Sequence, residues 1–207
     1  MSENLLLRGI HMNKHLNSIL AGMLIGIGNI ALASCENKAL GALLFSLALL
    51  SIINLRLPLY TGRIGKVITN KKQENLIAIL ILNAFGAMAT CGLFELMDSA
   101  NLEKMKAVCD AKYGKSYLTL FIAGILCNIL IHIAVKSRNG ISTILCIMCF
   151  ILCGFEHSIA DAGYLIFGGD VLKWPVIVAG NSVGGIVTEF LLTKGKPKSD
   201  ASGTWDF

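Results

Sequence analysis

Ionisable side chains stand directly after a long apolar run in the segment Gly154–Asp161. Glu156, His157 and Asp161 all follow the run Ile141–Phe155. Charged groups are costly at membrane depth, so such residues usually face a bundle interior or a water-filled cavity and mark a transport pathway. Histidine suits proton exchange with a substrate because its unperturbed pKa lies at about 6.5. His157 therefore has two open interpretations, a proton relay and a neutral hydrogen-bond donor.

A second polar interruption lies in the first half of the chain, at Asn54–Thr61. Asn54, Arg56 and Pro58 follow an apolar run there and lead into Tyr60-Thr61. Proline inside a span breaks the helix, and the freed backbone groups must face protein or water rather than lipid. The segment therefore predicts a broken helix beside the substrate path.

Three cysteines precede His157 at helical spacing, namely Cys146, Cys149 and Cys153. Together with His157 they offer one helix face to a soft metal ion, which keeps open a thiol-based metal transporter or redox membrane protein. Cysteine is also a small apolar residue suited to a crowded helix, and this is the preferred interpretation. We therefore predict no bound metal and no cofactor.

The elements that must position these residues are long apolar runs. The chain is 55% hydrophobic and 15% charged, with mean hydropathy +0.69. Helical spans need about 20 apolar residues to cross about 30 Å of hydrocarbon. The sequence predicts an all-α integral membrane protein with six transmembrane helices. The predicted spans are Asn17–Ser34, Ala39–Leu57, Leu76–Leu96, Tyr117–Val135, Ile141–Phe155 and Trp174–Leu192.

Lysine and arginine predict the orientation. Eleven lysines and arginines lie on the side of the membrane that holds both termini, and six lie on the opposite side; Arg56, inside the second span, is not counted. The positive-inside rule then places both termini of this multi-pass protein in the cytoplasm and the chain in the plasma (inner) membrane. Topology explains the net charge of +5, so no nucleic-acid partner is expected. We expect Leu5–Ile10 to form a short interfacial helix.

The two halves resemble one another. Ala21-Gly22-Met23-Leu24 is matched 102 positions later by Ala123-Gly124-Ile125-Leu126, and Asn83 is matched 98 positions later by Asn181. Three spans per half make the repeat inverted, which puts the substrate path between the halves. We expect one channel domain over 1–192, built as a 3+3 inverted repeat of about 16–100 and 115–192 with helices 2 and 5 broken. Residues 193–207 are expected to be a disordered cytoplasmic tail.

The polar segment of the second half resembles a known signature. Gly154-Phe155-Glu156-His157-Ser158-Ile159-Ala160 is similar to the signature heptapeptide of the formate/nitrite transporter family. Weaker resemblances extend it from Leu16 to about Leu192; they are Phe45-Ser46-Leu47, Leu59-Tyr60-Thr61-Gly62, Gly124–Asn128, and Gly180-Asn181 with Gly184-Gly185. The chain departs from the family pattern at Arg56, Pro58 and Asp161.

This resemblance implies an aquaporin-like protomer in a homopentamer, with one pore per subunit. It also implies roles for single residues. It implies that the pore centre is formed by Tyr60, Thr61 and His157. It implies one constriction at Phe45 and Leu49, and another at Phe150 and Ile131. Asn128 and Asn181 would support the loops, and Lys112 would attract anions. We expect Glu156 to hold loop amides rather than to relay protons.

The predicted function is a passive channel for small monovalent weak-acid anions in the lipid bilayer. Formate and nitrite are the expected substrates, and hydrosulfide or a short-chain carboxylate stays open because an apolar gate discriminates by size and desolvation. A bare anion is penalised in an apolar constriction, so we expect a proton to accompany it. The chain is not expected to be an enzyme. A non-transporting scaffold is disfavoured because it needs no matching breaks.

Overall fold

The computed structural model describes residues 13–69, 74–97 and 99–194. The predicted interfacial helix Leu5–Ile10 lies outside these residues, and so do five of the eleven cations that were counted for the cytoplasmic side. The tail was predicted to begin at residue 193, but the last helix continues through Lys194. The rest of the predicted tail lies outside the described residues.

The secondary structure of the described residues is entirely helical, as the sequence predicts. The helices, numbered in chain order within the described part, are α1 Lys14–Ser34, α2 Lys38–Asn54, α3 Tyr60–Arg63, α4 Leu76–Glu95, α5 Ser99–Tyr113, α6 Tyr117–Ser137, α7 Gly140–Leu152, α8 Ser158–Tyr164 and α9 Trp174–Lys194. Short 3₁₀ turns follow α3 at Ile64–Ile68 and α8 at Leu165–Phe167.

Four of these helices are long and apolar enough to cross a membrane, namely α1, α4, α6 and α9. The apolar helices α2 and α7 are shorter, and each ends three residues before the predicted end of its span. Each is followed by a non-helical stretch and then by a short helix, α3 or α8. Both polar stretches were predicted from the sequence, but the short helices α3 and α8 were not, and neither was α5 between the third and fourth long runs.

Asparagine side chains set the starts of both shorter helices. The Asn37 carboxamide oxygen accepts the N–H groups of Ala39 and Leu40 at the start of α2. The Asn139 oxygen accepts the Ser142 N–H at the start of α7. An N-cap of this kind satisfies a backbone donor that has no partner inside the helix. Each helix therefore begins at a fixed residue.

The long helices pack in pairs through glycines. A Cβ atom at Gly22 of α1 would overlap the carbonyl oxygen of Asn83 in α4, and one at Gly86 would overlap that of Ile19. Gly184 of α9 lies equally close to the Ile125 carbonyl of α6. Small residues let helix backbones approach within the membrane, where no hydrophobic force drives them together. The pairs α1–α4 and α6–α9 are therefore held at backbone contact.

The distribution of polarity is that of a membrane protein. Large apolar side chains cover the outside, and Ile77, Leu118 and Ile141 are each about two-thirds or more exposed. Buried positions include polar residues such as Asn29 and Glu189. An apolar exterior of this extent is expected where lipid rather than water is the solvent.

We predict that Gly22→Ala destabilises the protein, because its new Cβ has no space against the Asn83 carbonyl. Overpacking of this kind costs about 1–3 kcal/mol. Thermal unfolding of the detergent-solubilised protein measures the loss. Gly92→Ala is the matched control, since its Cβ meets only the Ile166 methyl at an ordinary 3.7 Å. Equal melting temperatures for both variants would contradict the close contact.

Candidate functional site

The helices α2 and α7 end in the same kind of turn. Arg56 and Gly154, 98 positions apart, both adopt positive φ angles, of 56° and 70°. In a Schellman motif, the helix ends at a residue in the left-handed conformation, and the backbone N–H of the next residue bonds to a carbonyl in the last helical turn. Glycine is the usual residue at the left-handed position. The closing bonds run from the Leu57 N–H to the Ile52 carbonyl (2.9 Å) and from the Phe155 N–H to the Phe150 carbonyl (3.0 Å).

The non-helical stretch after α2 is held by the side chain of Asn83. Its carboxamide oxygen accepts the Tyr60 N–H at 2.9 Å, and its nitrogen donates to the Pro58 carbonyl at 2.9 Å. The same nitrogen donates to the Ser18 carbonyl of α1 at 2.7 Å. One buried amide therefore satisfies both ends of the stretch and ties it to two long helices.

The stretch after α7 is held in the same way by Asn181. Its oxygen accepts the Ser158 N–H at 2.8 Å, and its nitrogen donates to the carbonyls of Glu156 (2.9 Å) and Gly124 (2.8 Å). The residues equivalent to Asn83, Tyr60 and Pro58 are each 98 positions further along the chain. The two loops therefore use one hydrogen-bonding scheme.

The predicted loop support is only partly reproduced. Asn128 does not reach a loop; its side chain donates to the backbone carbonyl of Asn181 at 2.6 Å and so supports the helix that carries the loop-binding residue. Asn83 was not among the predicted site residues, although its match to Asn181 in the repeat was a usable signal.

Thr61 and His157 meet between the two loops. Thr61 Oγ1 lies 3.0 Å from His157 Nε2, and both side chains are buried. His157 Nδ1 accepts the Ala160 N–H at 3.1 Å and caps α8. Because an accepting nitrogen carries no proton, the imidazole is neutral and its proton is on Nε2. His157 therefore donates to Thr61, whose own hydroxyl proton is left for another acceptor.

Tyr60, the other predicted residue of this loop, is held against α9. The Tyr60 hydroxyl lies 2.9 Å from Ser182 Oγ. The Ser182 hydroxyl donates to the Val178 carbonyl at 2.6 Å. Since the Ser182 proton is engaged, the Tyr60 hydroxyl is the donor in their bond. Tyr60 thus fixes the loop while Thr61 meets the histidine.

Two cavities lie near this pair. The first, here named the Lys112 cavity, has a volume of about 380 Å³ and is bordered by Lys112, His157, Phe45 and Phe150. The second, the Arg138 cavity, has a volume of about 590 Å³. The backbone of Gly62, next to Thr61, borders it. His157 therefore borders the first cavity, and Thr61 is the chain neighbour of a residue that borders the second.

The apolar residues group differently from the prediction. Phe45 was expected beside Leu49, but the Phe45 ring meets Phe150 edge to face at 6.1 Å, at the Lys112 cavity. Leu49 borders the Arg138 cavity with Leu59, which the sequence reading missed. Residues four apart on a helix are separated by one turn along its axis, and here Phe45 borders the Lys112 cavity while Leu49 borders the Arg138 cavity. Ile131 is buried in the same apolar cluster.

Glu156 forms ion pairs rather than the expected bonds to loop amides. Its carboxylate lies 2.7 Å from Lys112 Nζ and 2.5 Å from Lys115 Nζ. Lys112 also lies 2.8 Å from Asp161. Asn181 already serves the loop backbone, so the Glu156 carboxylate is available to these lysines. The prediction erred because the lysines come from α5 and the segment after it, which it did not place.

The cluster of Lys112, Lys115, Glu156 and Asp161 is electrically balanced when all four groups are charged. Both carboxylates are fully buried, whereas the lysine side chains are 19% and 30% exposed. Burial opposes the charge on Lys112, but Asp161 and Glu156 outweigh it and hold the pKa of Lys112 well above its ordinary value. Lys112 therefore stays protonated at neutral pH.

A further polar cluster lies at the other ends of α6 and α9. Glu189 accepts from Thr69 at 2.7 Å and lies 2.7 Å from both His132 Nε2 and Lys136 Nζ. It thus ties the segment after α3 to two long helices. His132 is buried there beside this acidic partner.

The cysteine stripe does not assemble with His157. Cys149 and Cys153 are exposed, while His157 is buried between Thr61 and Ala160. Across the described residues, no three histidine, cysteine or acidic side chains come together as metal ligands. The structure therefore gives no observation in favour of metal or thiol chemistry.

Comparisons with known proteins agree with this geometry. The family model described as "Formate/nitrite transporter" matches residues 10–195. Among solved structures, the "Pentameric formate channel with formate bound" superimposes with a TM-score of 0.72 at 20% identity, covering 88% of this chain and 97% of that one. The "FNT family ion channel" gives 0.75 at 21% identity, covering 88% and 90%. No curated protein matches the chain.

We predict that Asn181→Ala destabilises the protein strongly, because it leaves the Ser158 N–H and two buried carbonyls without partners. Each unsatisfied buried group costs about 1–3 kcal/mol. Thermal unfolding in detergent measures the effect, with Val183→Ala as a partly exposed control two residues along α9. A melting temperature within about 2 °C of the control would contradict the role assigned to this amide.

Proposed function

The chain belongs to the formate/nitrite transporter family, and on that basis we propose that it is a passive channel for small monovalent weak-acid anions. Formate and nitrite are the expected substrates. The observation that carries the proposal is the buried Thr61–His157 pair near two cavities that contain cationic side chains. Apolar side chains border the cavities next to the pair, at Phe45 and Phe150 on one side and Leu49 on the other.

The proposed architecture is one channel domain of six spans in a 3+3 inverted repeat. The helices α2 and α3 would form the broken second span, and α7 and α8 the broken fifth. The hydrogen bonds that hold the first loop recur in the second loop, 98 positions later in the chain, and they support this relation. Such repeats place the substrate path at their interface, where broken helices meet.

The proposed assembly and orientation extend this architecture. The solved "Pentameric formate channel with formate bound" supports a homopentamer with one pore in each subunit. The lysine and arginine bias supports an inner-membrane protein with cytoplasmic termini. In that orientation the Lys112 cavity opens outward and the Arg138 cavity opens to the cytoplasm.

Anion attraction is assigned to the Lys112 cavity. Lys112 and Lys115 are its basic residues at the cluster, and each keeps part of its side chain exposed. Glu156 and Asp161 offset their charge, so the cluster concentrates anions only weakly. An entering anion competes with these carboxylates for the lysine donors. Weak binding suits a channel, because a substrate must leave its site as easily as it enters.

The anion crosses the apolar boundaries with a proton. A bare anion in an apolar constriction is penalised by several kcal/mol, whereas the neutral acid is not. His157 is engaged at both nitrogens, so protonating it at Nδ1 would break the cap of α8. This favours the neutral-donor role over the relay. The substrate then takes a proton from the solution that fills the cavity, delivered as hydronium so that only water is left behind, and the Thr61 hydroxyl donates a hydrogen bond to it as it passes.

We predict that Thr61→Val lowers formate uptake at least about tenfold, because the variant keeps the shape but loses the hydroxyl that accepts from His157 and donates to the substrate. Thr61→Ser should retain most activity. The assay is proteoliposomes with an internal pH-sensitive dye, challenged in turn with formate, nitrite, hydrosulfide, acetate and lactate. The anion that acidifies fastest identifies the substrate.

Thr90→Val is the control for this assay, since Thr90 bonds only within α4, to the Gly86 carbonyl. Full activity in Thr61→Val would contradict the role in transport that is assigned to the Thr61 hydroxyl. If no anion entered wild-type proteoliposomes faster than empty ones, the proposed function itself would fail.

We predict that Glu156→Gln lowers the KM for external anion about threefold or more, because the cluster loses the carboxylate charge that is paired with both Lys112 and Lys115. One unit charge about 6 Å away is worth roughly 0.7 kcal/mol even at the dielectric constant of water. The gain should shrink as salt is added. Asp110→Asn, on the exposed surface of α5, is the matched control for charge. An unchanged KM in both variants would contradict control of anion entry by this cluster.

A further inference from the structure

The Arg138 cavity contains four cationic side chains. They are Arg56, Arg63, Lys66 and Arg138. Arg63 has a carboxylate partner, Glu74, at 2.5 Å. No described carboxylate lies within ion-pair distance of the other three. This cavity therefore differs from the Lys112 cavity, where each of the two lysines at the cluster is paired with a carboxylate.

The missing counter-charge is apparent at Lys66, in the 3₁₀ turn that follows α3. Burial, followed by the positive charges of Arg63 and Lys136, lowers the pKa of Lys66 below its ordinary value. Nearby Glu189 and Glu74 act in the opposite direction but do not compensate. An anion in the cavity would relieve this repulsion.

Arg56 is held in a conformation that suits glycine. Arg56 and Arg138 are the non-glycine residues with positive φ in the described chain, at 56° and 50°, and both border this one cavity. The equivalent turn of the other half has Gly154. A left-handed non-glycine residue costs about 1–2 kcal/mol. Retaining arginine there, at that cost, points to a use for its side chain.

The chemistry of the lining selects the anion. Guanidinium groups bind oxyanions through two parallel hydrogen bonds, and two of the three unpaired cations are arginines. A monovalent carboxylate leaves most of this charge unmatched, whereas a doubly charged oxyanion offers more acceptors and more charge. The apolar residues Leu49, Leu57 and Leu59 border the cavity. A dianion cannot cross such residues cheaply, so it would stay in the cavity.

We propose that the Arg138 cavity binds a phosphate-type dianion, which occupies that mouth of the pathway and reduces the flux of the transported anion. The binding requires only the cavity, while the effect on flux rests on the proposed function. Free inorganic phosphate and the phosphomonoester headgroup of phosphatidic acid both present this chemistry.

Binding is tested first, on the full chain in detergent, by calorimetric titration with inorganic phosphate at constant ionic strength. Arg56→Gly should weaken binding at least tenfold while keeping the fold, because glycine suits the left-handed turn. Arg138→Gly should act in the same direction. Lys106→Gln, an exposed cation of α5, should bind phosphate as wild type does. Equal affinity in wild type and Arg56→Gly, or no binding to either, would overturn the proposal.

Transport is tested next, in proteoliposomes with phosphate on both sides of the membrane, so that protein orientation does not matter. Formate flux should fall severalfold in wild type and much less in Arg56→Gly. Chloride at equal ionic strength should leave wild-type flux unchanged. Vesicles that contain phosphatidic acid but no free phosphate show whether a lipid headgroup produces the same block.

These outcomes separate the two proposals. Flux that phosphate leaves unchanged, or that chloride lowers equally, overturns the block even where formate transport is normal. If wild type transports no anion at all, the proposed function fails, and the calorimetric comparison still decides whether the cavity is a dianion site.

Discussion

Backbone amides and carbonyls inside a membrane need partners from the protein, and both interrupted helices meet that need with one asparagine each. Asn83 fixes the N–H of Tyr60 and Asn181 fixes that of Ser158. Thr61 follows the first anchor directly, and His157 precedes the second. Their 3.0 Å contact is thus a direct consequence of where the two amides hold the loops. The close glycine packing of α1 with α4 and of α6 with α9 keeps the asparagines within reach of both loops.

The positions of the helices and of their interruptions could be predicted from the sequence, but few of the contacts between residues far apart in the chain could be. Apolar runs and the proline and glycine interruptions predict where helices lie and where they fail, because those signals act over a few residues. The helix α5 was not predicted because it is polar and amphipathic periodicity in it is weak. The partners of Glu156 were not predictable either, since they depend on how α5 packs 41 and 44 residues away in the chain. The pairing of Phe45 with Phe150 likewise requires the positions of two helices.

The two cavities differ in charge compensation, and that difference makes the two ends of the proposed pathway chemically distinct. At the Lys112 cavity, buried carboxylates pair with Lys112 and Lys115. At the Arg138 cavity, three cations lack described partners, and Arg56 occupies a turn that is glycine in the other half. The two loops are held by the same hydrogen bonds, so side chains rather than loop backbone distinguish the two cavities. Glu156, which pairs with Lys112 and Lys115, and Arg56, which borders the Arg138 cavity, carry this distinction.

Near the cavities, a neutral histidine and a threonine hydroxyl offer hydrogen bonds but no charge, so the substrate is expected to cross as an uncharged acid. The most direct measurement is formate uptake into proteoliposomes whose membrane potential is clamped with potassium and valinomycin, recording formate and proton entry together. Electroneutral passage predicts about one proton per formate and a rate that does not change between inside-negative and inside-positive potentials. A rate that rises several-fold with inside-positive potential, without internal acidification, would show that the bare anion crosses and would contradict this mechanism.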